Sequence, residues 1–246
     1  MNSNSFLYGK GIFSTVAIRD GKALLWDKHW ARLRSNAEII GIPFEGVDQR
    51  ELLIELEKHI KERSINNGRA RLTFFDERSS EIWPAEISVE QHTSHHIIVG
   101  ERRQIPENFK LTVSPYPVNS RSPLAGVKSC NYLENLISFE NAKTDGFNEA
   151  IRLNERGEIT SACMANVFWL RENSLYTPSL KTGCLAGTTR EFVLEKVECS
   201  EVETGIEELE KADAIFLTSA GVGIAGINEF DGTILRRPDH PLLRLV

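Results

Sequence analysis

The sequence predicts an α+β protein in which helices pack against an antiparallel sheet. Two observations carry this prediction. Apolar residues recur every three or four positions over residues 28–40 and 48–62, which is the period of an amphipathic helix. Around these segments lie short runs of β-branched and aromatic residues separated by glycine turns, a pattern typical of strands. Helices and hairpin-like strands in the same half of the chain therefore indicate the α+β class.

The elements of the first half follow from local signals. A strand is predicted over residues 6–18, and a tight turn leads from it to a return strand over residues 23–26. Asp27 is the expected N-cap of helix 28–40, and Gly41 is its expected end. Further strands are predicted over residues 69–75, 86–89, 95–100 and 110–115.

The second half is predicted to be a strand-rich barrel or sandwich with a few helices. Residues 115–123 are rich in proline and serine, so they are the predicted linker between a domain of residues 1–114 and a domain of residues 124–246. The helical patterns cover residues 131–145, 187–199 and 208–213, and the strand patterns cover residues 149–153, 159–170, 174–176 and 214–219.

Composition excludes several classes of protein. The chain has 246 residues and a formal net charge of −6, which argues against a nucleic-acid-binding surface. No apolar run approaches the ~20 residues that a membrane span needs, and the first residues do not resemble a secretory signal. The four cysteines form no CxxC pair, so a zinc site is not expected and a reducing compartment suits them. We therefore expect a cytoplasmic protein with no membrane and no nucleic-acid partner.

One lysine near the middle of the chain, Lys128, is the first candidate for chemistry. Most lysines are solvated surface charges. Lys128 instead has no acidic residue in its local turn, and its neighbours are Leu124, Ala125, Gly126, Val127 and Cys130. A lysine in apolar surroundings has a lowered pKa, so its amine can act as a nucleophile and form a Schiff base.

A second candidate is the segment Gly187-Thr188-Thr189, which opens a predicted helix. The start of a helix offers unpaired N–H groups, and two hydroxyls add donors, so the segment can bind an anion. An ordinary threonine cap is the alternative interpretation. Arg32 could add a bidentate clamp. A Schiff-base lysine, a phosphate site and an arginine together describe a pocket for pyridoxal 5′-phosphate (PLP).

Five segments carry a resemblance to a known family. The chain resembles the class IV aminotransferase-like proteins, which are fold-type IV PLP enzymes. The family motifs are YGxGxFET, HxxRLxxSA, KxxNYLxN, GxITExxxxNxF and LPGITR. Their counterparts here, in the same order, are Tyr8–Thr15, His29–Ala37, Lys128–Asn135, Gly157–Phe168 and Leu185–Arg190. In the second motif the serine falls one place early, at Ser35.

The resemblance implies a fold and an assembly. It implies a small N-terminal α+β domain, a larger C-terminal pseudo-barrel domain, and a homodimer with the site at the domain interface. It also implies that Lys128 binds PLP covalently and moves the proton, and that Arg32 binds the phosphate. Gly187, Thr188 and Thr189 would assist Arg32.

The resemblance assigns further contacts. Tyr132 would hydrogen-bond the phenolic oxygen of PLP, and Arg71 matches a position that faces the substrate carboxylate in some members. Ser219 lies where the family often makes a last contact to phosphate or carboxylate. The implied substrate is a small molecule with an amine and a carboxylate.

Two positions depart from the family pattern. Ser161 stands where the family usually has a glutamate that keeps the PLP ring nitrogen protonated, so the ring would withdraw electrons less strongly. Glu158 is three residues away and would point to the opposite face of a strand. The first family motif continues after FET to an arginine, as FETIR, and Ala17 stands at the position of that arginine.

Three functions remain open. The segments around Lys128, Asn166 and Tyr176 look most like those of 4-amino-4-deoxychorismate lyases, which release pyruvate and form 4-aminobenzoate for folate synthesis. Thr15 matches a threonine implicated in catalysis by these lyases. The alternative is a branched-chain or D-amino-acid aminotransferase. A third possibility is a PLP-binding protein whose activity is altered or lost, which Ser161 and Ala17 would support.

Overall fold

Two units of structure divide the chain. The computed structural model describes residues 3–78, 93–235 and 240–245. One unit consists of Met1–Arg103 and Val127–Tyr132, and the other of Gln104–Gly126 and Leu133–Val246. The strand predicted over residues 86–89 lies outside the described residues. The α+β class is confirmed, because both units contain helices and sheets.

The first unit is built on a four-stranded antiparallel sheet with the strand order β2-β1-β3-β4. Helices α2 and α3 lie between β2 and β3 in the chain. The elements are α1 (Asn4–Tyr8), β1 (Gly11–Arg19), β2 (Lys22–Ala23), α2 (Trp26–Ile40), α3 (Gln49–Glu62), β3 (Gly68–Asp76) and β4 (Thr93–Glu101).

The two faces of this sheet differ in polarity because side chains alternate along each strand. One face and the two long helices form a single apolar core, which includes Ile12, Val16, Leu33, Leu56, Leu72 and Phe74. The other face carries Phe13 and Thr15 of β1, which pair with Thr73 and Arg71 of β3. The second face therefore presents polar and aromatic side chains, and the candidate residues lie there.

The start of the chain and the entry to α2 differ from the prediction. The residues before Gly11 form the short helix α1 instead of a strand. The return strand contains only Lys22–Ala23, since Leu25 has a φ of 53° and Trp26 already begins α2. Asp27 therefore lies in the first turn of α2 instead of capping it. Gly41 does end α2, with a φ of 64°, as predicted.

The second unit contains two five-stranded sheets, ordered β14-β13-β5-β6-β7 and β10-β9-β8-β11-β12. Residues of both sheets share one apolar core, in agreement with the pseudo-barrel domain that the resemblance implies. The strands are β5 (Lys110–Val113), β6 (Glu149–Leu153), β7 (Ile159–Ala162), β8 (Asn166–Arg171), β9 (Ser174–Pro178), β10 (Ser200–Val202), β11 (Ala214–Ser219), β12 (Gly223–Gly226), β13 (Glu229–Phe230) and β14 (Thr233–Ile234). The helices are α4 (Leu133–Thr144), α5 (Thr188–Leu194) and α6 (Glu207–Glu210), with 3₁₀ turns at Leu180–Thr182 and Pro241–Arg244.

The long strand predicted over residues 159–170 is two strands that belong to different sheets. The chain turns sharply after β7, where the Ala162 N–H donates to the Ala165 carbonyl at 2.9 Å. The apolar run continues through this turn because both strands contribute to the same core. Helix α5 also ends earlier than predicted, at Leu194.

The predicted domain boundaries do not coincide with the two units. Strand β5 pairs in parallel with β6, so it belongs to the second unit and not to the domain of residues 1–114. Residues 115–123 are attached to the second unit, since the Val118 N–H donates to the Leu153 carbonyl at 2.8 Å. Lys128 belongs to the first unit, because Ser129 pairs with Ile12 of β1. Backbone pairing between residues far apart in the chain decides these boundaries. The amino-acid composition does not reveal this pairing.

Candidate active site

Lys128 lies at an edge of the sheet of the first unit. The Phe13 N–H donates to the Lys128 carbonyl at 2.9 Å, and the Cys130 N–H donates to the Gly11 carbonyl at 2.8 Å. These bonds place Lys128 opposite Phe13, on the polar face of the sheet. Asn36 of α2 holds the same segment, because its Oδ1 accepts from the Lys128 backbone N–H at 2.9 Å.

Two aromatic rings surround the Lys128 amine. Its Nζ lies 4.4 Å from the centre of the Phe13 ring and 4.8 Å from the centre of the Tyr132 ring. The two rings meet edge to face at 5.1 Å. The amine also donates to the Tyr132 hydroxyl at 3.4 Å, which is a long hydrogen bond. Tyr132 therefore lies beside the amine of Lys128.

The environment favours the neutral form of the Lys128 amine. Burial is the largest cause, and the positive charges of Arg32 and Arg71 add to it, lowering the pKa of Lys128 to about 7. Lys128 as a whole is half-buried. At neutral pH a large fraction of the amine is therefore unprotonated and nucleophilic.

Arg32 is oriented by a buried chain of hydrogen bonds. Its guanidinium donates to the Ser14 hydroxyl at 2.8 Å, and that hydroxyl lies 2.8 Å from Nδ1 of His29. Burial, with the positive charges of Arg32 and Lys128, holds the pKa of His29 well below its usual value. The ring is therefore neutral, and we assign Ser14 as the donor to Nδ1. The spacing of three residues between His29 and Arg32 lets both reach Ser14.

Arg71 and Thr15 are direct partners across β1 and β3. The Cζ atom of Arg71 lies 3.6 Å from the centre of the Phe13 ring, and its Nε donates to the Thr73 hydroxyl at 3.2 Å. Stacking and this hydrogen bond hold the guanidinium on the polar face of the sheet. Arg71 thus joins Lys128 and Arg32 in a cluster of positive charge that favours a ligand carrying phosphate or carboxylate groups.

Ser161 lies in the second unit, on β7, and pairs directly with Arg152 of β6. The side chain of Ser161 is half-buried, whereas Arg152 is buried. Glu158 does not replace the missing carboxylate, as its odd offset predicts. Its carboxylate accepts from Arg156 at 2.6 Å and from Asn154 at 2.8 Å.

Gly187 occupies a position that has no room for a side chain. A Cβ atom there would collide with Oδ1 of Asn166 on β8, whose amide donates to the Leu185 carbonyl at 2.8 Å. The close approach of the loop to Asn166 therefore requires glycine. Thr188 and Thr189 follow as the first, buried residues of α5.

Asn166 also connects this loop to Ser219 through the sheet. It pairs with Thr218 of β11, and Ser219 is the next and last residue of that strand. The second unit therefore brings the Gly187 loop and the end of β11 to neighbouring positions. Ser161 lies in the other sheet of this unit.

Three residues that support Lys128 and Arg32 were missed by the sequence analysis: Phe13, Ser14 and Asn36. Asn36 takes the place of the motif serine that was sought at Ser35, since Ser35 is exposed and Asn36 is buried. A polar residue three positions after Leu33, on the buried face of α2, was an available signal. Nothing local distinguished Ser14 from the other residues of β1.

Each unit, taken by itself, carries groups that fit part of PLP. Lys128 offers a nucleophilic amine, and the nearby guanidiniums offer charge for phosphate and carboxylate groups. Gly187 precedes α5, and the start of a helix offers N–H groups to an anion. Among the described residues, no group of three or more His, Cys, Asp or Glu could hold a metal ion. No helix within residues 3–78, 93–235 and 240–245 is long and apolar enough to cross a membrane.

Comparison with known proteins identifies the family. The sequence model of the family "Amino-transferase class IV" matches residues 11–230. Aminodeoxychorismate lyase of Bacillus subtilis is 30% identical over 226 residues, which cover 88% of this chain and 76% of that protein. D-alanine aminotransferase of Listeria monocytogenes serotype 4b is 24% identical in an alignment of 247 positions, which covers 94% of this chain and 82% of that protein.

A solved structure supports the same fold. The crystal structure of 4-amino-4-deoxychorismate lyase from Pseudomonas aeruginosa matches with a TM-score of 0.84 and 23% identity, and the match covers 100% of this chain and 92% of that one. The chain belongs to the amino-transferase class IV family, and it is an enzyme that uses pyridoxal 5′-phosphate.

Proposed function

We propose that the enzyme is a lyase that releases pyruvate from 4-amino-4-deoxychorismate and leaves 4-aminobenzoate, as part of folate synthesis. The observation that carries this proposal is the pairing of Thr15 with Arg71 on the face of the sheet that also holds Lys128. A hydroxyl that can pass a proton and a cation that can bind the enolpyruvyl carboxylate are the groups that this elimination needs. The similarity to the lyase of Bacillus subtilis supports the same reaction.

Each of the residues has a role in this reaction. PLP, when bound, supplies a ring that withdraws electrons and makes the neighbouring C–H bond acidic. Lys128 removes that proton, because its amine is partly neutral near pH 7. Thr15 assists proton transfer to the leaving group, and Arg71 binds its carboxylate. Tyr132 hydrogen-bonds the phenolic oxygen of PLP.

The phosphate contacts are assigned from both the motifs and the local structure. Arg32 binds the phosphate in the orientation that Ser14 imposes. Gly187, Thr188 and Thr189 bind the phosphate at the start of α5, because the first turn of a helix directs its N–H groups outward. Ser219 adds a further polar contact.

Ser161 favours the lyase over an aminotransferase. We assign Ser161 to the ring nitrogen of PLP, where a hydroxyl withdraws electrons less effectively than a protonated pair with a carboxylate. Elimination from aminodeoxychorismate forms an aromatic ring, so it tolerates a weaker electron sink than transamination does. The similarity to D-alanine aminotransferase nevertheless keeps D-amino-acid or branched-chain transamination as the second candidate. A PLP-binding protein without turnover is the third.

We also propose that the enzyme is a homodimer in the cytoplasm. Helix α4 exposes an apolar stripe at helical spacing, in which Leu133, Leu136 and Ile137 are 66, 42 and 43% exposed. A second copy of the chain would cover this stripe. The four free cysteines suit a reducing compartment.

The function is tested by replacing Lys128 with alanine. The purified wild-type enzyme should show a visible absorbance band with PLP and release pyruvate from enzymatically made aminodeoxychorismate. Lys128→Ala should lose both, since no other amine replaces Lys128. Lys22→Ala, an exposed lysine of the same unit, is the control and should keep both. A colourless wild-type protein that stays colourless with added PLP would refute the cofactor assignment.

The aminotransferase alternative is separated in the same preparation. Amino-acid donors with 2-oxoglutarate should leave the visible band of the wild-type enzyme unchanged on the timescale of pyruvate release. Rapid loss of the band with a D-amino acid or branched-chain donor, without pyruvate release from aminodeoxychorismate, would support the second candidate. A stable band with neither reaction would support the third.

The proposed role of Lys128 also requires its amine to lose a proton near neutral pH. Peptide-resolved acylation of the PLP-free protein should show a midpoint near pH 7 for Lys128. Arg71→Leu should raise this midpoint, because removing a positive charge favours the protonated amine. The exposed Lys58, with 72% of its side chain accessible, is the internal reference, and its reactivity should not respond to Arg71→Leu. An unchanged Lys128 profile in the variant would contradict this account.

The proposed phosphate site is tested by Gly187→Ala. The added methyl must displace Asn166 or the loop, at a cost of about 1–3 kcal/mol. The affinity for PLP should therefore fall by about tenfold or more, measured by equilibrium titration of the visible band. Gly100→Ala is the matched control, since a Cβ atom at Gly100 meets nothing within 4 Å. Equal affinity in the two variants would argue against a phosphate beside Gly187.

The dimer is tested on the apolar stripe of α4. Leu136→Glu places a charge on the surface that the partner would cover, so sedimentation should show a shift from dimer to monomer. Thr144→Glu, at the exposed end of the same helix, controls for added charge and should remain a dimer. A wild-type protein that sediments as a monomer would refute the proposal.

A further inference from the structure

Arg152 is a buried arginine with incomplete hydrogen bonding. It lies on β6, is 3% exposed, and pairs directly with Ser161 of β7. Its Nε and one of its terminal nitrogens find no hydrogen-bond acceptor among the described residues. Buried guanidinium groups are normally paired, because leaving the charge without acceptors costs free energy.

The ion pair that Arg152 makes is weak. The terminal nitrogen that lacks a hydrogen-bond acceptor, Nη2, lies 3.5 Å from Oε2 of Glu134, a distance too long for a strong hydrogen bond. The Glu134 side chain is 79% exposed, so water screens its charge. Much of the positive charge of Arg152 therefore acts on its buried surroundings, and Ser161 is the polar residue directly across from it.

Besides Glu134, the ionisable groups near Arg152 are Cys163 and Glu149. Burial and the charge of Glu149 raise the pKa of Cys163 to about 12, so the Cys163 thiol is neutral. Glu149 is buried on the same strand as Arg152, and one of its carboxylate oxygens accepts from the Met164 N–H at 2.6 Å. The carboxylates of Glu149 and Glu134 can oppose the positive charge of Arg152, whereas the neutral thiol of Cys163 adds no charge.

A hydroxyl next to a guanidinium has a preferred direction for its hydrogen bonds. A guanidinium only donates, so the Ser161 oxygen can accept from it while the Ser161 proton points elsewhere. A ring nitrogen beside that proton must accept it, which requires an unprotonated ring nitrogen. The nearby positive charge acts in the same sense, since it disfavours a pyridinium cation.

We propose that Arg152 is a positioning residue that acts through Ser161 and keeps the ring nitrogen of PLP unprotonated. This inference rests on the proposed assignment of Ser161 to the ring nitrogen. The pair Arg152–Ser161 then does the opposite of a carboxylate, which would keep the ring nitrogen protonated. The pair makes the PLP ring a weaker electron sink. It therefore favours the elimination, which aromatisation drives, over transamination.

The test follows the ring nitrogen directly, with PLP labelled with ¹⁵N in the ring and bound to the wild-type holoenzyme. The ¹⁵N resonance should have the position of an unprotonated pyridine at neutral pH. Arg152→Leu should raise the pKa of the ring nitrogen by about 1–3 units, the usual effect of removing a neighbouring charge. Arg152→Lys keeps the charge and should stay close to the wild type. A purely structural role for Arg152 would not move this resonance.

Arg156→Leu removes a partly exposed arginine from the turn after β6 and should leave the resonance unchanged. A protonated ring nitrogen in the wild type would overturn the inference, even if Arg152→Leu fails to fold. So would an Arg152→Leu enzyme that titrates like the wild type. A wild type that does not bind labelled PLP through Lys128 would refute the proposed function instead.

Discussion

The antiparallel pairing of residues 128–130 with β1 is the interaction on which the site of the first unit depends. Two backbone hydrogen bonds, of 2.9 and 2.8 Å, hold this short segment at the edge of the sheet. They place Lys128 beside Phe13, with Tyr132 next to it. Protein replaces water around the amine while two guanidiniums remain close enough to repel its charge. The reactivity of Lys128 thus originates in strand register, and the apolar sequence around it is only part of the cause.

Side chains of β1 alternate between the two faces of the sheet, so successive residues have different roles. Ile12 and Val16 pack in the core, whereas Phe13 and Thr15 face the opposite side with Lys128. Ser14 lies on the core side of the strand and is polar. Its hydroxyl is satisfied because His29 accepts and Arg32 donates. A buried hydrogen-bonded chain of this kind holds its members in one arrangement, so it fixes the direction of Arg32 at little cost in stability.

In the second unit, the effect of Ser161, which departs from the family motif, depends on the residues around it. Ser161 by itself suggests only a weaker electron sink. Its direct partner, Arg152, adds a buried positive charge that the exposed Glu134 compensates only in part. The absence of a carboxylate and the presence of a guanidinium act in the same direction on a ring nitrogen placed there. The pair therefore describes a changed electrostatic environment and not simply the loss of a contact.

The sequence by itself determined the class of fold and most of the helices and strands, and it singled out Lys128 as the candidate for chemistry. Helix α3 and strands β3 and β6 follow from local periodicity, because backbone geometry imposes these patterns within a few residues. Only the tertiary structure decided the rest: the break between β7 and β8, the attachment of residues 115–123 to β6, and the partners of Lys128 and Arg152. Each of these depends on hydrogen bonds and charges between residues far apart in the chain, and no local pattern records which distant groups will meet.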